Sequence, residues 1–303
     1  MIYHIKMKSI SPNYGTFFLS KMKQMSLDKI IIQGFPGAFH EEAVIKYFGG
    51  NDHQIVPATT FRELAEKLNN GDHETRAMMA IENSIAGSLL QNYRILREYG
   101  FVICGEVYLR IRHNLLAMPG QNIEDLVEVR SHPMAINQCL NYFRNYPKIT
   151  LVEADDTALS AKEIADSELK GIGGIASARA AEIYDLEVLA SGIETSPYNY
   201  TRFFLIEKNN GKDLTMADGN KASIYLRVKD EPGQLLLVLE ALKDAEMNLS
   251  KLQSFPVLGA VGEYYFYLDI EFLDLVVFWS VYNQIKEVTI ELQILGIYKK
   301  ANK

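Results

Sequence analysis

Apolar residues in this chain alternate between runs of strand length and stretches at helical spacing, starting at Ile30. The segment IIIQG, Ile30 to Gly34, predicts a buried strand, and AFHEEAVIKYF, Ala38 to Phe48, carries its apolar groups along one helix face. The succession continues with QIVPA near Gln54 to Ala58, a helix from Thr60 to Leu68, and RAMMAI at Arg76 to Ile81. A helix from Gly87 to Arg97, extended segments through Phe101 to Ala117 and a helix after Pro133 follow. Between Lys148 and Ile206 come a strand at ITLVEA, a helix at TALSAKEIADS, a short strand at GIGGIA, a helix at SARAAEIY and a closing strand at RFFLIE. Alternation on this scale predicts an α/β class with mostly parallel sheets covered by helices and ligands bound at strand carboxyl ends.

The pattern breaks at Lys208 to Asn220, KNNGKDLTMADGN, which is polar, contains glycine and lacks a long apolar face. It reads as a linker at 208–220. Beyond it, residues 221–300 predict strand KASIYLRV, helix GQLLLVLEALKDA, strands NLSKLQSFP and EYYFYLDI, a helix near Leu273 to Ile285 and strand TIELQILGIY. This β-α-β-β-α-β order is the split ferredoxin-like pattern. The domain plan is therefore an α/β region at 29–207, the linker, and a terminal α+β domain. Residues 1–28 are basic at their start with an apolar patch only at Phe17 to Leu19, shorter than the core of an export signal, and read as a disordered extension.

At 303 residues and 48% hydrophobic, the chain can bury more than one core. Its net charge of -7 is spread along the sequence, and neither a basic patch nor a stacking motif asks for nucleic acid. No apolar run approaches the length of a bilayer span, so a membrane role is not expected. Cys104 and Cys139 sit among apolar neighbours and suit a reduced, cytoplasmic setting. The six histidines form no HxxxH or HExxH set, which disfavours a metal enzyme.

Four polar segments interrupt the apolar pattern where chemistry is expected. GFPG, Gly34 to Gly37, could offer helix N-terminal amides to an anion or simply form a tight turn; it lacks G-x-G-x-x-G and a Walker lysine, so ATP and NAD are not indicated. IENSIAGS places Glu82, Asn83 and Ser84 after a strand; there they can meet a ligand, or Asn83 and Ser84 cap the next helix, with Glu82 able to orient either kind of site. In SHPMAINQ, Ser131 can cap a helix whose first turn holds Pro133, Gln138 lies farther in, and His132 is an acid/base or a structural histidine. In YNYTRFFL, Arg202 stands between Thr201 and an apolar run, so it calls for a carboxylate partner from protein or substrate. Thr201 has no adjacent base, which argues against a hydrolytic triad.

In order, GFPGAFHEEA, IENSIAGS, GEVYLRIRHNLLA, SHPMAINQC and IASARAAEIYDLEVLASGIETSPYNYTRF resemble the prephenate dehydratase family with a C-terminal ACT domain, over about residues 29 to 300. The resemblance implies two lobes similar to type II periplasmic-binding folds, the second at about 108–190, holding prephenate between them. It implies Thr201 as the main catalytic residue, aided by Arg202 in substrate binding or charge placement. Asn83, Ser131 and Gln138 fall on the family's polar site positions; Glu82, Ser84 and Gly87 complete the first motif, and Thr157 lies in a further family-like segment. The implied reaction yields phenylpyruvate, water and carbon dioxide without cofactor or metal, Thr201 helping the hydroxyl depart. The ACT resemblance implies phenylalanine as effector, held by Gly233, Gln234 and Leu235 of EPGQL and by Asn248, Leu249 and Ser254 of NLSKLQSFP, in a homodimer or homotetramer. The second segment departs from the family's Glu-Ser-Arg-Pro, having Gln253, Ser254, Phe255 and Pro256. Two other readings stay open: an arogenate dehydratase acting on the amino analogue, and a noncatalytic sensor of small anions.

Overall fold

The computed structural model describes residues 28–302 except 212, 215–217, 258 and 261–262; residues 1–27, the bulk of the expected extension, lie outside the described residues. The first lobe starts with β1 (Lys29–Gln33), β2 (Gln54–Ala58) and β3 (Arg76–Asn83), joined by α1 (Phe39–Phe48) and α2 (Phe61–Asn70) and paired in parallel as β2-β1-β3. Ile30, Ile31 and Ile32 are all at most 2% exposed. A strand buried on both faces needs such a continuous apolar run, and each side chain contributes about 2 kcal/mol. Helix α2 starts where Thr60 caps the Glu63 amide at 3.0 Å and Glu63 reaches back to the Thr59 amide at 2.7 Å.

Two features of this lobe depart from expectation. Gly87, with φ of 82°, turns the chain into a short strand β4 (Gly87–Ser88) hairpinned on β3, so α3 (Leu90–Tyr99) begins three residues later than the apolar spacing suggests. The sheet is also mixed. Strand β11 (Tyr200–Glu207), returning from the second lobe, inserts between β3 and β5 (Val102–Arg110), antiparallel to both.

The second lobe contains β6 (Asn114–Ala117), β7 (Glu128–Ser131), α4 (Pro133–Phe143), β8 (Thr150–Glu153), α5 (Thr157–Asp166), β9 (Ile172–Ala176), α6 (Ala178–Ile183) and β10 (Glu187–Ser191). Its sheet order is β10-β6-β9-β7-β8, with β10 and β6 antiparallel to their neighbours. The lobe begins after Arg110, since β5 stays paired with β11 to that residue; a boundary near 108 cuts into the first lobe's sheet. Strand β10 escapes the apolar pattern because it is bulged between Val188 and Ala190 and largely exposed. Two segments cross between lobes, bonded through the Ile111 amide to the Asn199 carbonyl at 2.7 Å and the Ile193 amide to the His113 carbonyl at 2.9 Å. Neither cysteine is in a disulfide, and burial pushes the Cys139 thiol up to about 12.

The terminal domain has β12 (Lys221–Arg227), α7 (Gln234–Asp244), β13 (Asn248–Pro256), β14 (Tyr264–Glu271), α8 (Leu275–Glu287) and β15 (Glu291–Tyr298), in the antiparallel order β13-β14-β12-β15. This is the expected ACT-like βαββαβ arrangement. One sheet face carries α7 and α8 through Val238, Leu242, Phe278, Val281 and Ile285. The other lies on the first lobe, Tyr225, Tyr267, Leu295 and Tyr298 sharing a core with Tyr93, Phe101, Ile103, Phe204 and Ile206. Gly296 marks a close crossing, where a Cβ would lie 2.1 Å from the Ile103 carbonyl oxygen.

Within this junction Arg202 donates to Glu106 at 2.7 Å through Nε and to Asp269 at 2.5 Å through Nη1, and Lys221 donates to Glu106 at 3.1 Å. All four side chains are at most 3% exposed. Ser223 and Tyr298 add hydrogen bonds, Ser223 to Asp269 at 2.5 Å and Arg202 to Tyr298 at 3.2 Å. Two cations face two carboxylates, so the cluster is formally neutral. Such a group holds together only while complete, because removing one member strands a buried charge. Glu106→Gln is expected to destabilise the protein by about 3–5 kcal/mol, read from urea unfolding curves.

Candidate active site

A cleft of about 610 Å³ lies between the lobes. Its walls include the N-terminal ends of α1 (Ala38, Phe39), α2 (Thr60, Phe61), α4 (Met134, Ala135) and α5 (Asp156, Thr157). Their partial positive charge makes the cleft receptive to anions. Phe39, Phe61, Leu89, Ile111 and Phe203 supply apolar surface, and Asn83, His113, Gln138, Asn199 and Thr201 a polar wall.

Those polar groups form one hydrogen-bonded chain. The Asn83 Oδ1 accepts from the amides of Ile85 and Ala86, both at 2.9 Å, which fixes the amide orientation and sends Nδ2 toward β11. There Nδ2 donates to Thr201 Oγ1 at 2.9 Å and to Asn199 Oδ1 at 2.8 Å. Asn199, fully buried, donates in turn to Gln138 Oε1 at 2.7 Å. His113 lies 2.8 Å from the same Oε1, so Nε2 carries its proton and the ring is neutral; burial holds its pKa below the ordinary value, against the raising effects of Gln138 and Glu194. Gln138 belongs to the second lobe, Asn83 to the first, and Asn199 and His113 to the two crossing segments. The network therefore ties the hinge to both walls. Since Thr201 Oγ1 already accepts from Asn83, its proton is free to be donated elsewhere.

The GFPG turn joins the lobes. Ser177 donates to the Gly37 carbonyl at 2.6 Å, Tyr184 to that of Pro36 at 2.8 Å, and Arg179 pairs with Glu41 at 3.2 Å. Gly37 has φ of 87°, and a Cβ there would sit 2.7 Å from Ala180 Cα. Burial raises the carboxyl pKa of Asp156, which caps α5 at the Leu159 amide from 2.9 Å.

The predicted residues separate into groups. Asn83, Gln138, Thr157 and Thr201 line the cleft. Ser131 is completely buried and donates to the Ile175 carbonyl at 2.7 Å, while His132 takes the cap position of α4, accepting from the Met134 amide at 3.2 Å. Ser84 ties the turn to β11, donating to the Tyr198 carbonyl at 2.8 Å and accepting from the Tyr200 amide at 2.9 Å; Gly87 makes the turn possible. Neither Asn83 nor Ser84 caps α3, whose N-cap is Leu89. Arg202 does not reach the cleft. Consecutive strand residues point to opposite faces, and with Thr201 turned inward Arg202 enters the ion-pair cluster, next to Glu82 at 3.9 Å. In the terminal domain Gly233, Gln234 and Leu235 line a cavity of about 240 Å³ with Glu263, Tyr264 and Phe266. Ser254 pairs with Phe266 at that end of the sheet, whereas Asn248 and Leu249 pair with Glu271 and Ile270 at the other. Among the cleft residues that sequence reasoning missed are Asn199, His113, His40, Asp155 and Asp156; Asn199 was detectable, lying two positions before Thr201 and just ahead of β11.

A family model described as prephenate dehydratase matches residues 30–211. The chain belongs to the prephenate dehydratase family. It is 36% identical over 228 residues to an arogenate dehydratase/prephenate dehydratase of Arabidopsis thaliana, spanning 75% of this chain and 57% of that relative, little more than half its length. A bifunctional chorismate mutase/prephenate dehydratase of Aquifex aeolicus is 32% identical over 282 residues, covering 91% of this chain and 76% of the relative. Among solved structures, the prephenate dehydratase of Arthrobacter aurescens in complex with L-Phe superposes with a TM-score of 0.78 at 25% identity, over 90% of each chain.

In this family member, His40 forms part of the cleft wall. Its ring meets Phe203 edge-on at 5.0 Å, and burial lowers its pKa from 6.5 to about 3. Below pH 6.5 the unfolded chain takes up a proton that the folded protein refuses until about pH 3, so this contribution to stability is present above 6.5 and lost as pH falls. The stability lost between about pH 7 and 5 is expected to be roughly 2 kcal/mol smaller in His40→Asn than in wild type, measured by urea unfolding at each pH.

Proposed function

We propose that this protein catalyses the decarboxylating dehydration of prephenate to phenylpyruvate, water and carbon dioxide. The observation that carries the reading is Thr201, whose Oγ1 accepts from Asn83 at 2.9 Å while its proton remains available in the cleft. Breaking the bond to the ring carboxylate releases carbon dioxide and sends an electron pair through the diene, which expels the ring hydroxide as the ring becomes aromatic. Thr201 donates its proton to that hydroxide, giving water, and regains one from solvent. The Asn83 N–H stabilises the negative charge that grows on Oγ1 during transfer, offsetting the weak acidity of a threonine. With Arg202 held in the ion-pair cluster, binding of the substrate's anionic groups falls to the helix N-termini around the cleft. The ring carboxylate belongs against the phenylalanine wall, since a tight ion pair would hold back the charge that decarboxylation must disperse.

A second reading, dehydration of the amino analogue arogenate, draws support from Asp155 and Asp156 on the cleft wall, which favour an ammonium group, and from the naming of the Arabidopsis relative. We assign the terminal cavity to phenylalanine acting as inhibitor, on the strength of Gly233, Gln234 and Leu235 lining it. Pairing of the exposed β13 edge would give a homodimer or homotetramer.

Thr201→Ala is expected to lower kcat on prephenate by about 100-fold or more, with circular dichroism unchanged, and Thr201→Ser to retain much of the rate. Wild-type turnover by Thr201→Ala overturns the proton-donor role, and faster turnover of arogenate than of prephenate selects the second reading. L-phenylalanine is expected to lower turnover and raise the Tm, and Leu235→Asp to abolish both responses; a Leu235→Asp enzyme inhibited like wild type places the effector elsewhere.

A further inference from the structure

The hairpin that carries Asn83 is gripped by the terminal domain. Lys251, on β13, donates through Nζ to Glu82 Oε2 at 3.0 Å and to Ser88 Oγ at 2.8 Å. Glu82 and Ser88 face each other across the β3–β4 hairpin, and the next pair is Asn83 with Gly87, which closes the turn supplying the Ile85 and Ala86 amides to Asn83. One ammonium thus bridges both arms of the hairpin, one residue pair before the amide that donates to Thr201. The side chain of Lys251 is only 9% exposed, and its Nζ lies 5.3 Å from the ring centroid of Tyr93. The Glu82 side chain is 40% exposed, so the pair is shielded from water on the lysine side only. On β11 the register repeats the arrangement: Thr201 pairs with Asn83 on the cleft side, Arg202 with Glu82 on the side of the terminal domain.

We propose that Lys251 is a positioning residue for the Asn83–Thr201 pair, so that the placement of β13 in the terminal domain sets the geometry of the hydrogen bond that activates Thr201. This rests on the reading of Thr201 as proton donor. The Asn83 amide must stay within hydrogen-bond reach of Oγ1, and a small displacement of the turn weakens a bond that is steep in distance and angle. Lys251 lies on the same strand as Asn248 and Ser254, two of the expected effector residues. A ligand that shifts β13 therefore moves the hairpin directly.

The test measures steady-state turnover of prephenate by the full chain carrying Lys251→Met, Lys251→Arg, Glu82→Gln or Asn83→Ala, and by the Asn83→Ala/Lys251→Met double variant. Lys251→Met is expected to lower kcat about 10-fold with KM within about two-fold of wild type, while Lys251→Arg restores most of the rate. Glu82→Gln, which keeps the fold while weakening the same grip, should move kcat in the same direction by less. Once Asn83 is alanine, loss of Lys251 should cost nothing further, because the effect passes through that amide. The proposal is overturned if Lys251→Met leaves kcat within about two-fold of wild type, or if it costs as much without Asn83 as with it, the mark of a merely structural role. Failure of the proton-donor reading is distinguishable, since it shows in Thr201→Ala alone.

Discussion

The alternation of side chains along β11 is the constraint on which the rest of the molecule depends. Thr201 and Phe203 line the cleft, and Arg202 between them looks the other way, into a space that only an opposing charge can satisfy. A guanidinium there needs Glu106 from the first lobe and Asp269 from the terminal domain, and Glu106 in turn engages Lys221. The terminal domain is therefore part of what makes the central strand of the first lobe tolerable, and the two cannot be treated as independent beads on a linker.

Much of the architecture was legible from periodicity. The run Ile30 to Ile32 announced a strand buried on both sides, and the terminal βαββαβ order followed from switches between two-residue and helical periods. The mixed sheet was not, because the direction of β11 depends on where a chain returning from another lobe finds a free edge, and no local pattern encodes that. Strand β10 was missed for a local reason: its bulge disturbs the alternation by which strands are recognised.

The site was legible in composition more than in geometry. Thr201, Asn83, Gln138 and Thr157 do meet at the cleft, whereas Arg202, for which a carboxylate of protein or substrate was expected, meets two carboxylates of the protein, a direction its sequence neighbours imply. If Thr201 faces inward, strand geometry turns Arg202 away. What covers that outer face was not readable, since Glu106 and Asp269 lie 96 and 67 residues distant. Asn199 stands two positions before Thr201, where an asparagine beside Pro197 and Tyr198 reads as readily as a turn residue. The hinge network gives it a meaning no motif carries, because a fully buried amide linking two lobes couples their relative position to the Asn83 amide that bonds Thr201.

The contact between Gly37 and Ala180 has a consequence for the breadth of the cleft. The lobes touch there through the two smallest side chains available, with no void for a methyl group on the glycine. The joint acts as a shim of minimum thickness. Any enlargement on either side would wedge the lobes apart about the hinge, stretching the Asn83–Asn199–Gln138 chain that spans them. In this scaffold the width of the cleft and the alignment of the Thr201 hydroxyl are therefore not separately adjustable: a wider mouth comes with a slacker Thr201.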